Sequence, residues 1–82
     1  MSTGPRRLTQ VRYTIVVRIF EREGFVLSRQ KGDHLITTKP GVKRPIVIKR
    51  SPGQVPVTHT VTNMRTAGMT RERFFALLDE VS

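Results

Sequence analysis

The sequence contains no cysteine, which excludes disulfides, thiolate zinc sites and cysteine nucleophiles. A small secreted domain usually depends on disulfides, so their absence favours the cytosol. No apolar run approaches the ~20 residues that a membrane-spanning helix needs. The opening MSTGPRR is not followed by the apolar segment of a secretory signal peptide. We therefore expect a cytoplasmic protein with no membrane partner.

Acidic residues are scarce. Six Asp and Glu stand against 15 Lys and Arg, which gives a formal net charge of +9 and a pI near 11.6. This imbalance suggests a polyanionic partner, with nucleic acid first and an anionic membrane surface or an acidic protein as alternatives. A merely solubilising surface is the remaining interpretation. A chain this short forms one domain with little room for a deep cavity, so we expect a shallow surface site.

The first half of the chain predicts a helix followed by three strands. We expect residues 1–7 to be a flexible tail and residues 8–82 to be a single domain. Apolar residues at helical spacing in LTQVRYTIVVRIFEREGF predict the first helix, with Thr9 as its N-cap and Gly24 just beyond its end. FVLSRQ, HLITTK and PIVIKR predict an antiparallel meander, because the turns KGD and PGVKR separate them. Simple alternation places Leu27 and Arg29 on the same face of the first of these strands.

The second half predicts two more helices. VTHTVTNMRTAGM indicates a helix with Val57, Val61 and Met64 on one face and a stop at Gly68. TRERFFALLDEV indicates a helix capped by Thr70, with an apolar stripe along one side. A helix, a three-stranded antiparallel sheet and one or two further helices form an α+β fold of the kind that double-stranded RNA-binding domains use. Helices cover one sheet face and leave the other for solvent or a ligand.

His34 is the first candidate for chemistry. It begins the second predicted strand, directly after the turn that contains Gly32 and Asp33. An imidazole titrates near physiological pH and can act as general acid or base, and RNA brings its own nucleophile, the 2′-hydroxyl. Lys31 or Arg29 would stabilise charge that develops on the phosphate. Asp33 either orients the imidazole or caps the turn. A lone histidine at a hairpin also has an ordinary, non-catalytic interpretation.

The second candidate is a set of basic residues along the hairpins, which would follow a phosphate backbone. Scattered solubilising charge is the alternative, but only one acid, Asp33, lies between Gly24 and Asn63. The set comprises Arg29, Lys31, Lys39, Lys43, Arg44, Lys49 and Arg50.

His59 is a weaker candidate, because it lies in THT at a predicted helix start, where a histidine is often structural. Two histidines are too few for a zinc site, and no Walker loop, nucleophile elbow or carboxylate pair is present. The aromatic residues do not form a stacking platform on one strand and are predicted to belong to the core. We expect no cofactor and no metal.

Several of these segments together resemble the HicA toxin family, also called YcfA-like proteins, which are small mRNA interferases. FEREGF before RQKGDH is similar to the family's helix, Gly-aromatic stop and first hairpin. KPGVKRPIVI resembles the next turn and strand in one branch of the family. QVP and then NMRTAGMTRERFFALL resemble its last helices. The resemblance runs from about Val11 to Val81, and the combination is more specific than any single piece.

The resemblance implies a double-stranded RNA-binding-like fold, ribosome-independent cleavage of mRNA, and a HicB-type antitoxin that covers the active surface. The family's active histidine follows a Gly-Ser or Gly-Asp pair, and His34 matches that position. Gly32 and Lys31 match the turn around it. The family often has a second histidine next, where this chain has Leu35.

Three classes of function follow. The first is a toxin endoribonuclease with His34 as its general acid or base. The second is an RNA-binding module without chemistry, and the third is a protein whose basic face serves an acidic protein partner.

Overall fold

The computed structural model describes residues 6–51 and 53–82. Strands β2, β3 and β4 form an antiparallel sheet in that order, and β1 pairs with β5 in a separate two-stranded ribbon. A helix, a three-stranded antiparallel meander and two helices confirm the predicted α+β fold of double-stranded RNA-binding-domain type. The elements are β1 (Val11–Arg12), α1 (Tyr13–Arg22), β2 (Val26–Lys31), β3 (His34–Thr38), β4 (Ile46–Lys49), β5 (Gln54–Val55), α2 (Val57–Ala67) and α3 (Arg71–Val81).

The first helix begins later than predicted. The chain is still extended at Arg12, because β1 pairs with β5, and the helix starts at Tyr13. The N-cap is therefore Arg12, whose side chain makes no capping hydrogen bond, and the predicted cap Thr9 is wrong. The predicted end is confirmed: Gly24 follows the helix with φ of 95°, a conformation that favours glycine.

The core lies between the helices and one face of the sheet. Strands β3 and β4 alternate, so that Leu35 and Ile48 are buried against the helices, whereas His34 and Lys49 are exposed on the opposite side. We call this opposite side the outer face. Each fully buried aliphatic or aromatic side chain stabilises the fold by about 1.5–3 kcal/mol. The buried apolar residues are Val16, Ile19, Phe20, Phe25, Leu35, Ile46, Ile48, Val55, Met64, Met69, Phe74 and Leu77.

Helix α2 packs at the β4 edge of the sheet. The face that it buries differs from the one that the spacing of its apolar residues predicted. Thr60, Asn63 and Met64 are its buried residues, whereas Val57 and Val61 are partly exposed. The side-chain amide of Asn63 donates a hydrogen bond of 3.1 Å to the backbone carbonyl of Val47 on β4. A polar side chain thus fixes the helix to the edge strand, which an apolar pattern does not reveal.

Helix α3 follows the prediction closely. The hydroxyl of Thr70 accepts a hydrogen bond of 3.1 Å from the backbone N–H of Arg73, as expected of an N-cap. The preceding stop is also confirmed, because Gly68 has φ of 67°. Most of the predicted tail, residues 1–5, lies outside the described residues. Arg6, which the tail was predicted to include, forms an ion pair of 2.8 Å with Asp79 on α3.

Candidate active site

His34 lies in the middle of a row of three side chains that crosses the outer face. Lys31 of β2 is its cross-strand partner on one side, and Lys49 of β4 is its partner on the other. Directly opposed residues of antiparallel strands share a face, with Cβ atoms about 4.5–5.5 Å apart. All three side chains are exposed. We call Lys31, His34 and Lys49 the lysine–histidine row, in which the histidine has a lysine on each neighbouring strand.

A β-bulge in β2 determines which side chains reach this face. Leu27 pairs with Thr37, and Arg29 pairs with the next residue back along β3, Ile36, so that Ser28 is the extra residue. Thr37 is buried on the helix side, with 1% of its surface exposed. Leu27 therefore shares the helix side and Arg29 the outer face. The predicted alternation, which put Leu27 and Arg29 on one face, is wrong because of this single inserted residue.

A cleft of about 400 Å³ opens between the outer face and α2. This volume lies in the lower part of the ~300–1,000 Å³ range typical of ligand pockets. The sheet contributes His34 and Lys49, the turn before β4 contributes Arg44, and α2 contributes His59. Two imidazoles and two cations therefore line one cleft. The full lining is His34, Arg44, Pro45, Val47, Lys49, His59, Thr62, Asn63 and Thr66.

His59 lies in the same cleft as His34, which the sequence analysis did not predict. It lies in the first turn of α2, as predicted, but its side chain is exposed and lines the cleft. Its position opposite the sheet follows from the way α2 packs at the edge of β4, through Asn63. No residue near His59 in the sequence indicates that packing. The sequence therefore could not show that His59 and His34 line the same cleft.

Leu35, which stands in the slot of a second histidine, points away from the cleft. It pairs with Ile48, which is fully buried, and is itself 8% exposed. Successive residues of a strand face opposite sides of the sheet. A side chain at position 35 therefore enters the core and lies on the opposite side of the sheet from the imidazole of His34.

Of the seven residues in the predicted basic set, four lie on the outer face or in the cleft. Arg29, Lys31 and Lys49 project from the outer face, and Arg44 lines the cleft. Lys43, beside Arg44, is exposed but is not part of the lining.

The remaining two members of the set lie against aromatic rings. The Nζ atom of Lys39 is 5.8 Å from the ring centroid of Phe25, and the guanidinium of Arg50 is 5.7 Å from that of Tyr13. Lys39 follows the last residue of β3, at the end opposite to His34. Each of these two cations therefore lies over an aromatic ring of the domain.

The turn before His34 is held by its backbone. Gly32 has φ of 57°, a left-handed conformation that costs other residues about 1–2 kcal/mol. The carbonyl of Asp33 accepts a hydrogen bond of 2.8 Å from the backbone N–H of Arg50, which ties the hairpin tip to the end of β4. Within residues 6–51 and 53–82, the carboxylate of Asp33 makes no hydrogen bond and no ion pair. Neither role predicted for that carboxylate is formed.

Charge is divided between the two sides of the molecule. Five of the six acids lie in or directly after α1, or in α3, and three of these are paired with arginines. Asp33 is the one acid between Gly24 and Gly68, a segment that holds eight of the 15 basic residues. The helical side is thus close to balanced, and positive charge is concentrated on the sheet and its turns. The pairs are Arg6–Asp79, Arg22–Glu80 and Arg73–Glu23.

Two further features concern the described part of the chain alone. No three His, Cys, Asp or Glu side chains there lie close enough together to hold a metal ion. None of its helices has the length and apolarity needed to cross a bilayer.

The chain matches the model of one protein family, described as the HicA toxin of bacterial toxin-antitoxin systems, over residues 14–68. The matched segment begins in α1 and ends at the stop after α2, so it contains the lysine–histidine row and the whole cleft lining. Helix α3 lies beyond the match. No curated protein matches the chain. Since the match covers more than half of its length, the chain belongs to the HicA toxin family, whose members are the toxins of toxin–antitoxin pairs.

Proposed function

We propose that the chain is a toxin endoribonuclease that cleaves mRNA in the cytoplasm, without a metal ion, and uses His34 as its general base. The observation that carries this proposal is the lysine–histidine row, in which an exposed histidine is paired across the sheet with an exposed lysine on each side. Family membership supports the same activity, because HicA toxins are mRNA-cleaving proteins.

The chemistry needs few groups, because RNA supplies the nucleophile. His34 accepts the proton of a 2′-hydroxyl, and the 2′-oxygen then attacks the adjacent phosphorus. Negative charge increases on the non-bridging phosphate oxygens, where Lys31 and Lys49 stabilise it. The bond from phosphorus to the 5′-oxygen breaks, which leaves a 2′,3′-cyclic phosphate on one product and a 5′-hydroxyl on the other.

RNA binding is proposed to depend on the unbalanced positive charge of the sheet side. Cations that neutralise phosphates release condensed counterions, so binding weakens as salt rises. Arg29 and Arg44 extend the row along the outer face and into the cleft. The remaining proposed contacts are Gly32, Lys39, Lys43 and Arg50.

The antitoxin is proposed to be of the HicB type and to cover the outer face. That face combines exposed apolar side chains, Val26 at 64% and Val47 at 37% exposure, with cations that form no ion pair with any described residue. An acidic protein surface with an apolar centre complements such a face in charge and in hydrophobicity. Covering it would block the row and the cleft together.

The experiment is to incubate the purified protein with a long unstructured RNA in EDTA, beside His34→Ala. Cleavage by the wild type alone, with 2′,3′-cyclic phosphate or 3′-phosphate ends, is expected. Products with 3′-hydroxyl ends, or activity that disappears in EDTA, would contradict the mechanism. If both proteins shift the RNA and neither cleaves it, the chain is an RNA-binding module without chemistry.

A further inference from the structure

We infer that His59 is a second catalytic residue, the general acid that protonates the leaving 5′-oxygen when His34 acts as base. This inference rests on the proposed ribonuclease activity and adds a specific group to it. The observation behind it is that the two imidazoles line one cleft from different elements, His34 from β3 and His59 from α2.

The reaction itself requires a group on the far side of the phosphorus. In an in-line displacement, the attacking 2′-oxygen and the leaving 5′-oxygen lie on opposite sides of the phosphorus. A base placed at the 2′-oxygen therefore cannot also reach the 5′-oxygen in the same step. An unprotonated 5′-alkoxide is a poor leaving group, so a positioned acid accelerates its departure.

The cleft offers that group from a different element, helix α2. Arg44 and Lys49 carry guanidinium and ammonium groups, which hold their protons too tightly to act as acids near neutral pH. Asn63 uses its amide to bind the carbonyl of Val47. Threonine hydroxyls do not titrate in this range. Among the described lining residues, His34 and His59 carry the groups suited to proton transfer at neutral pH.

The neighbour of His34 in the chain cannot serve instead. Leu35 faces the core, as does any residue at that position, so a second proton carrier has to come from another element. Helix α2 is the element that packs beside the outer face, and the hydrogen bond from Asn63 to Val47 fixes it there. His59 is exposed on its cleft side and free of side-chain hydrogen bonds among the described residues.

Each imidazole then returns to its starting protonation state over the two steps of the reaction, cleavage of the RNA and hydrolysis of the cyclic phosphate. In the first, the 2′-hydroxyl proton moves to His34, the bond from the 2′-oxygen to phosphorus forms, the bond to the 5′-oxygen breaks, and the 5′-oxygen takes a proton from His59. In the second, water attacks the phosphorus of the cyclic phosphate, and the bond from phosphorus to the 2′-oxygen breaks. The neutral His59 takes a proton from that water, the protonated His34 returns its proton to the 2′-oxygen, and a 3′-phosphate is left.

The test is to remove the need for an acid. The bond cleaved by the wild type is mapped first, and a short RNA is then made with a 5′-bridging sulfur at that bond. A thiolate leaves without protonation. On the normal oxygen substrate, His59→Ala should be slower than the wild type by about 10²–10⁴-fold, the usual contribution of general acid catalysis. On the sulfur substrate its rate should return close to that of the wild type, whereas His34→Ala should stay slow on both.

A second readout is the dependence of rate on pH. One base and one acid give a bell-shaped profile, and His59→Ala should lose the limb at high pH, where the acid of the wild type is deprotonated. The charged and titratable groups that face His59 across the cleft are His34, Arg44 and Lys49. Thr58→Ala is the matched control, because Thr58 is exposed beside His59 on α2 and outside the lining.

Two outcomes overturn the inference while leaving the ribonuclease in place. In one, His59→Ala cleaves the oxygen substrate as fast as Thr58→Ala. In the other, it is equally slow on oxygen and sulfur substrates. A wild type that cleaves neither substrate removes the proposed function itself, and the role of His59 fails with it.

Discussion

His34 and Lys49 are direct cross-strand partners on the exposed face of the sheet, one on β3 and the other on β4. Their side chains share that face and both line the cleft. The proposed division of work follows from their chemistry, since an imidazole exchanges protons near neutral pH and an ammonium group supplies fixed charge. Substitutions at the two positions should therefore have separable effects.

Lys49→Ala should weaken RNA binding and lower the cleavage rate without abolishing it. Loss of one phosphate contact on a single strand should reduce the slope of log K against log salt by about 0.7. Titration of a labelled RNA at several salt concentrations measures this. Arg18→Ala is the control, because Arg18 is an exposed cation on α1 and is not among the proposed RNA contacts. Equal slopes for Lys49→Ala and the wild type would show that this ammonium group does not contact phosphate.

Two neighbours on β3 should differ sharply in their effect on stability. His34→Ala should change the free energy of unfolding by no more than about 0.5 kcal/mol, because the side chain is exposed and makes no side-chain hydrogen bond with any described residue. Leu35→Ala should cost about 2–5 kcal/mol, since Leu35 is 8% exposed and packs in the core. Urea denaturation of both variants measures the difference. A marked loss of stability in His34→Ala would mean that the residue belongs to the packing.

Asn63→Ala should destabilise the protein by about 1–3 kcal/mol, because the carbonyl of Val47 loses a partner in a partly buried place. Cleavage should also slow, since α2 carries one wall of the cleft. Thermal unfolding and the cleavage assay are run on the same preparation. Thr62→Ala, one residue earlier on the exposed side of α2, should leave the unfolding temperature near that of the wild type.

Adjacent phenylalanines on α3 provide a test of the core. Phe74 is 1% exposed, so Phe74→Ala should cost about 3–5 kcal/mol, a large part of the total stability of a domain this small. Phe75 is only partly buried, and Phe75→Ala should cost clearly less. Equal losses at the two positions, measured by urea denaturation, would contradict the packing of α3 described above.

Local signals explain most of what the sequence predicted correctly. Gly68 and Thr70 act within a few residues of their position, so the end of α2 and the start of α3 followed from the sequence. The three strands were also predicted, because the turns between them carry glycine. The late start of α1 at Tyr13 was not, since it depends on the pairing of β1 with the distant β5.

The sequence also predicted only the part of the candidate site that is built from residues close together in the chain. His34 and its flanking cations lie close together in the chain around one hairpin, and the sequence analysis selected them. His59 joins them only because α2 packs against β4 through a polar contact, that of Asn63 with Val47. The apolar periodicity of α2 indicated a different buried face, so sequence reasoning could not bring His59 to the cleft.

The bulge at Ser28 determines what an in-frame deletion of that residue would do. Because Ser28 is the extra residue, the pairs on either side of it, Leu27 with Thr37 and Arg29 with Ile36, are consecutive along β3. An in-frame loss of the single codon for Ser28 would leave every basic residue and both histidines encoded. It would also turn the bulge into a regular ladder in which Arg29 still pairs with Ile36 and Lys31 with His34, so both cations would stay on the face of His34.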